Sequence, residues 1–168
     1  MPINPAKYLA LFVTYDKVTD ELITQASILP VNADDGVLRG KQVAIKALWD
    51  TGATVTCIKP ALRERLKLRP LESVRAKLAG MGSRAAPADA AMINLLLTSE
   101  LVIECCPVYV ADFPGDADML IGMDIIGKGD FAVCNFGGKT SFSFAVPPFP
   151  DRVNFADRAE AANRGNAV

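Results

Sequence analysis

Residues 47–53 read Ala47-Leu48-Trp49-Asp50-Thr51-Gly52-Ala53, an apolar strand end that runs directly into a carboxylate and a Thr-Gly turn. Upstream, Lys41–Trp49 alternates, with Val43, Ile45, Ala47 and Trp49 on one face, as a half-buried strand does. A carboxylate placed at the end of such a strand costs free energy unless donors surround it. A Thr hydroxyl and the backbone amides beside a glycine are donors of that kind. An ordinary turn can also begin with Asp, so the tripeptide takes its meaning from what lies around it.

Most of the chain around this point reads as short strands. Leu9–Tyr15 and Leu22–Val31 are β-prone and separated by the polar Asp16-Lys17, and Asn32–Gly36 has the composition of a loop. Val55–Ile58 follows Asp50 as a further strand. The one good helix signal is Lys59–Leu68, with Pro60 in the first turn and Leu62 and Leu66 on an apolar stripe. Ala76–Ser83 is a strand entering a glycine-rich tip, and Ala90–Leu97 and Leu101–Val110 are two more strands. After a loop over 111–118 come the short strand Met119–Ile121 and a helical turn at Met123–Gly127. Phe131–Phe136 and Ser141–Val146 flank Gly137-Gly138, a hairpin signal. From Pro147 the composition turns polar and Pro-led, as in a tail.

The chain has 168 residues, one domain's worth, with 51% apolar and 22% charged residues and a net charge of −1. So even a charge balance gives no basic footprint for a nucleic-acid partner. There is no histidine, which removes Ser-His-Asp and Cys-His catalysis and His-ligated zinc. Hydrolytic chemistry therefore falls to carboxylates, lysine or an otherwise activated thiolate. The cysteines, Cys57, Cys105, Cys106 and Cys134, form no C-x-x-C pair and read as reduced, mostly buried thiols. No apolar run approaches the ~20 residues that span a bilayer, and no signal pattern opens the chain. The expectation is a soluble, cytoplasmic protein with no membrane or nucleic-acid partner.

Asp50-Thr51-Gly52-Ala53 at a strand end resembles the active-site signature of retropepsin-like aspartic proteases, the single-lobe relatives of pepsin. Two further segments match that family in the right order. Ala79-Gly80-Met81-Gly82-Ser83 lies where the family carries a glycine-rich flap hairpin. Asp118-Met119-Leu120-Ile121-Gly122-Met123-Asp124-Ile125-Ile126 resembles its second signature, apolar residues and then Gly leading into a short helix. The resemblance implies a mostly-β, retropepsin-like acid-protease fold, a closed barrel-like lobe with a flap hairpin and one or two short helices. It covers roughly residues 26–146, leaving an N-terminal extension, 1–25, with extra strands and a flexible tail, 147–168.

The resemblance also implies an aspartic endopeptidase acting on polypeptides. One chain supplies one aspartate where the chemistry needs two, so Asp50 would meet its mate on the axis of a homodimer. No metal or cofactor is called for. Thr51 would bond across that axis, and Gly52 would leave room for substrate backbone. Ala53 stands where pepsins carry a hydroxyl that donates toward the aspartate, which implies work at mildly acidic to near-neutral pH. Leu48 and Leu120 would line the central side-chain pockets, giving a preference for apolar residues at the cut. Gly80, Met81 and Gly82 would close over the substrate. Thr54 and Met123 depart from the family, since retroviral members place there an acid and an arginine that pair at the dimer interface. Dimerisation is therefore expected to use the last hairpin, Phe131–Val146. A second reading keeps the fold without the chemistry, as a catalytically silent module for dimerisation or peptide binding. A third would have Asp116/Asp118 or Asp124/Asp130 hold a cation, but calcium-loop spacing is absent and these read as solvated turn residues.

Overall fold

The structure, a computed structural model, describes residues 7–31, 41–71, 75–80 and 83–165. The expected loop at 32–36 and the glycine-rich tip residues Met81 and Gly82 lie outside them. The period-two apolar patterns fold as strands: β1 (Leu9–Thr14), β2 (Leu22–Pro30), β3 (Val43–Trp49) and β4 (Cys57–Ile58). Helix α1 (Pro60–Leu66) comes next, then β5 (Arg75–Gly80), β6 (Ser83–Leu96), β7 (Val102–Val110) and β8 (Met119–Ile121). Helix α2 (Met123–Ile126), β9 (Asp130–Phe136), β10 (Lys139–Val146) and helix α3 (Phe155–Gly165) complete the order.

The strands make a barrel. β2 pairs antiparallel with β3, β3 runs parallel to β8, and β8 is antiparallel to β4. β4 is parallel to β7, β7 antiparallel to β6, and β6 returns to β2 through Ser27↔Leu96 to Pro30↔Ile93, closing the ring. Inward positions are apolar and fully buried: Ile28, Ile45, Ala47, Ile58, Ile93, Leu95, Val108, Met119 and Ile121. Each large side chain among them stabilises the fold by about 1.5–3 kcal/mol on burial. β6 is one long strand that begins at Ser83, well before the strand Ala90–Leu97 expected from the sequence. Its second half closes the barrel, and its first half, Pro87 included, pairs with β5 as a projecting hairpin.

A second sheet, in the order β1-β10-β9, covers one side of the barrel. Phe142 and Phe144 from β10 and Phe131 from β9 surround Trp49 at ring separations of 5.4, 5.1 and 5.7 Å. The indole N–H is satisfied by the buried Thr24 hydroxyl at 3.0 Å. β1 pairs with β10 from Leu9↔Val146 to Thr14↔Ser141, and β2 already belongs to the barrel from Leu22.

Pro60 opens α1, as expected, and Lys67 at φ 52° ends it. α3 was not read from the sequence. Asn154 caps it, accepting from the amides of Ala156 and Asp157, and its Ala-rich composition favours helix, while its surface stays exposed. No described helix is long and apolar enough to cross a membrane.

All four cysteines are unpaired, but only Cys57 and Cys106 are buried, so the expectation of mostly buried thiols holds for two of them. Cys105 is pushed out by a β-bulge opposite Asn94, whose side-chain oxygen accepts its amide at 2.8 Å. Burial, reinforced by the negative charge of Asp124, raises the Cys57 thiol to about 11 and that of Cys106 to about 12. Both stay protonated, and so unreactive, through neutral pH. Iodoacetamide at pH 8 should modify Cys105 in the native protein, whereas Cys57 and Cys106 should react only after unfolding. Peptide mass mapping reads the order, and prompt native labelling of Cys57 would contradict it.

Candidate active site

The site is set by three short strands lying side by side in the order β3-β8-β4. The chain leaves β3 at Asp50, crosses the end of β8 through residues 51–56, and re-enters the barrel on β8's other side as β4. The crossing is pinned at both ends by backbone bonds. The Asp50 amide donates to the Ile121 carbonyl at 2.9 Å, and the Met123 amide donates to the Ala53 carbonyl at 2.8 Å.

Asp50 itself is half-buried. Its Oδ1 accepts the Gly52 amide at 2.8 Å, and its carbonyl accepts the Ala53 amide at 3.2 Å. A Cβ on Gly52 would stand 3.1 Å from Oδ1, so a larger residue crowds the carboxylate. Thr51 and Gly52 are exposed, and Thr51 makes no side-chain hydrogen bond among the described residues. No side chain of the described residues donates to the Asp50 carboxylate, and none of their acidic or thiol groups cluster to hold a metal ion. One amide therefore orients the carboxylate and leaves the rest of it open for a reacting group.

Thr56, which the sequence did not single out, and Asp124 hold the loop in place. The buried Thr56 hydroxyl accepts the Gly122 amide at 3.1 Å and donates to Asp124 Oδ1 at 2.7 Å. Asp124 also accepts the amides of Thr56 and Ile125, at 3.0 Å each. The reading of Asp124 as a solvated turn residue is thus corrected: it is a half-buried acceptor joining α2 to the Asp50 loop. Asp118 and Asp130 likewise have fixed donors, the amides of Lys46 and Phe149. Gly122 has no room for a side chain, because a Cβ there would lie 2.6 Å from the Val55 carbonyl and 3.0 Å from that of Ala53.

Leu48 and Leu120 are opposed across the β3–β8 pair, both half-buried. They pack away from the main core, with Val55, Tyr109 and Ala111, on a smaller cluster of Cys57, Phe113 and Ala117. The two leucines thus form one apolar wall on the strand face that carries Asp50. Gly80 ends β5 and pairs with Ser83, and none of the hydrogen bonds holding Asp50 comes from that hairpin. Thr54 and Met123 are exposed.

The model of the aspartyl protease family matches residues 35–125, and the chain belongs to that family. No curated protein matches it. Among solved structures, it is similar to a retropepsin-like aspartic protease from Rickettsia conorii, with 12% identity and a TM-score of 0.49 over 85% of this chain and 98% of that one. It is also similar to the EIAV protease in complex with the inhibitor HBY-793, with 22% identity and a TM-score of 0.44 over 68% of this chain and 92% of that one.

The tight crossing predicts the cost of disturbing it. Gly122→Ala forces two backbones apart and should destabilise the fold by about 1–3 kcal/mol. Thr56→Val keeps the shape but leaves the Gly122 amide without its acceptor and removes one of the two donors to Asp124 Oδ1, for a similar cost of about 1–3 kcal/mol. Trp49, the single tryptophan, reports urea unfolding through its fluorescence. Midpoints unchanged in both variants would mean that the crossing does not hold the loop.

Proposed function

We propose that the protein is an aspartic endopeptidase that works as a homodimer, with Asp50 of each copy forming the catalytic pair. The observation that carries this reading is the state of the Asp50 carboxylate: placed at the end of β3, oriented by the Gly52 amide and open on its remaining side. Membership of the aspartyl protease family supports it. One chain brings a single Asp-Thr-Gly, so a second copy completes the pair, and the unengaged Thr51 is available to bond across the axis.

Two carboxylates about 3 Å apart do not both ionise easily, so the pair shares a proton and titrates as a unit. The ionised member takes a proton from a water molecule, whose oxygen attacks the peptide carbonyl carbon. The protonated member donates to the carbonyl oxygen, and the proton taken from water then reaches the leaving nitrogen as the C–N bond breaks. Gly52 leaves space for substrate backbone beside the carboxylates. The Leu48/Leu120 wall favours apolar side chains next to the cut. The hairpin that contains Gly80, Met81 and Gly82 acts as the flap that shuts water out.

The direct test compares casein cleavage by the wild type and Asp50→Asn between pH 4 and 7.5. Cleavage should vanish in the variant, rise faster than linearly with enzyme concentration and yield to pepstatin. Absence of cleavage by a wild type shown to be dimeric would favour a silent peptide-binding module instead. A finer test concerns Ala53. Ala53→Ser supplies a hydroxyl donor near Asp50, and a donor to the ionised form makes ionisation easier. The acid limb of the pH–rate profile should therefore move to lower pH, and a shift to higher pH would refute the role given to this position.

A further inference from the structure

β9 is an edge strand whose other side is bound to β10, from Phe136↔Lys139 to Asp130↔Ala145. The two strands are joined by the two-residue turn Gly137-Gly138, with φ +60° and +76°. In such a hairpin the residues flanking the turn exchange both backbone bonds, and the pattern then alternates. Phe136, Cys134, Ala132 and Asp130 therefore turn their amides and carbonyls toward β10. Phe131, Val133 and Asn135 turn theirs to the open edge.

That edge lacks the usual guards. Nothing between Asp130 and Lys139 is charged or proline, although charge and proline are what keep open strands from pairing. Val133 is 46% exposed and Phe136 84%, and Phe12 of the same sheet is 70% exposed. The edge is also joined to the candidate site. Phe131 stacks on Trp49, the residue immediately before Asp50, at 5.7 Å.

We propose that β9 pairs antiparallel with β9 of a second copy about a two-fold axis passing through Val133, fusing the two small sheets into one. This rests on the dimeric reading of Asp50 and deepens it by naming the surface and the register. The register follows from counting the outward residues. With the axis at Val133, Val133 meets its own mate and Phe131 meets Asn135 of the second copy, so all outward residues are paired in roughly six N–H···O=C bonds. An axis at Ala132 or at Cys134 leaves one outward residue of each strand unpaired. Such a contact is self-complementary, as a two-fold interface must be. The second copy is the occupant the argument selects, since it completes the catalytic pair as well as the edge.

The register places Cys134 opposite Ala132 of the second copy, a non-hydrogen-bonded pair with Cα atoms ~4.5 Å apart, inside the range a disulfide spans. Ala132→Cys, with Cys134 kept, should therefore cross-link into a covalent dimer under mild oxidation. The wild type and Ala132→Cys/Cys134→Ser should stay uncrosslinked, because their thiols lie on a diagonal. Peptide mapping should join position 132 of one copy to Cys134 of the other. Val133→Pro removes only an outward amide, so it should keep the native circular dichroism and sediment as a monomer. A wild type that cross-links through Cys134 alone would overturn the register. So would a dimer that Val133→Pro leaves intact, or a wild type that stays monomeric at every concentration. Cleavage by a wild type whose Ala132→Cys form does not cross-link would sink this interface and leave the Asp50 reading standing. A cross-linked dimer that cleaves nothing would uphold the interface and remove the catalytic reading.

Discussion

Gly122 is the point at which two stretches of backbone run closer together than any side chain would allow, and the candidate site depends on that approach. Because nothing stands between them, the Ile121 carbonyl reaches the Asp50 amide and the Met123 amide reaches the Ala53 carbonyl. Hydrophobic burial cannot specify such an arrangement, being non-directional. It collapses the barrel, while the bonds across the Gly122 crossing decide where the carboxylate stands within it. Thr56 and Asp124 act at the same place, converting a close approach into a fixed one.

Trp49 joins this polar device to the apolar body. Its ring belongs to the cluster with Phe131, Phe142 and Phe144, and its backbone leads directly into Asp50. The second sheet therefore does more than cover the barrel. It fixes the last residue of β3 by packing while the loop is fixed by hydrogen bonds, so the carboxylate is held from both sides by different forces. Tight packing transmits small displacements, since interiors have few voids to absorb them. A change at β9 would accordingly be felt at Asp50 through a single aromatic contact.

Much of this was legible in the sequence because the signals were local. Period-two alternation marked β3, Pro60 marked the start of α1, and Gly137-Gly138 marked the last hairpin. Asp-Thr-Gly at a strand end marked the candidate site. What was missed depended on distance or on competing signals. Thr56 and Asp124 are 68 residues apart, and only the fold makes the acid an acceptor rather than a turn residue. Only the apolar second half of β6 was read as a strand, from Ala90; the stretch before it contains Pro87, a residue that a strand tolerates at an edge. α3 was read as tail because the segment from Pro147 opens polar and Pro-led, and the Ala-rich stretch that favours helix buries no residue.

The pairing of β1 with β10 has a consequence for the order in which the molecule is made. β1 is synthesised early, yet its only partner strand among the described residues is almost the last to appear, after the whole barrel. Contacts so distant along the chain form late, since the cost of closing the intervening loop comes before any contact is gained. The hairpin that brings Phe142 and Phe144 to Trp49 arrives with that same closing step. A nascent chain on the ribosome can therefore build its barrel while the packing around the residue before Asp50 is still missing. The packing around Trp49 is complete only once the chain as far as β10 has been made.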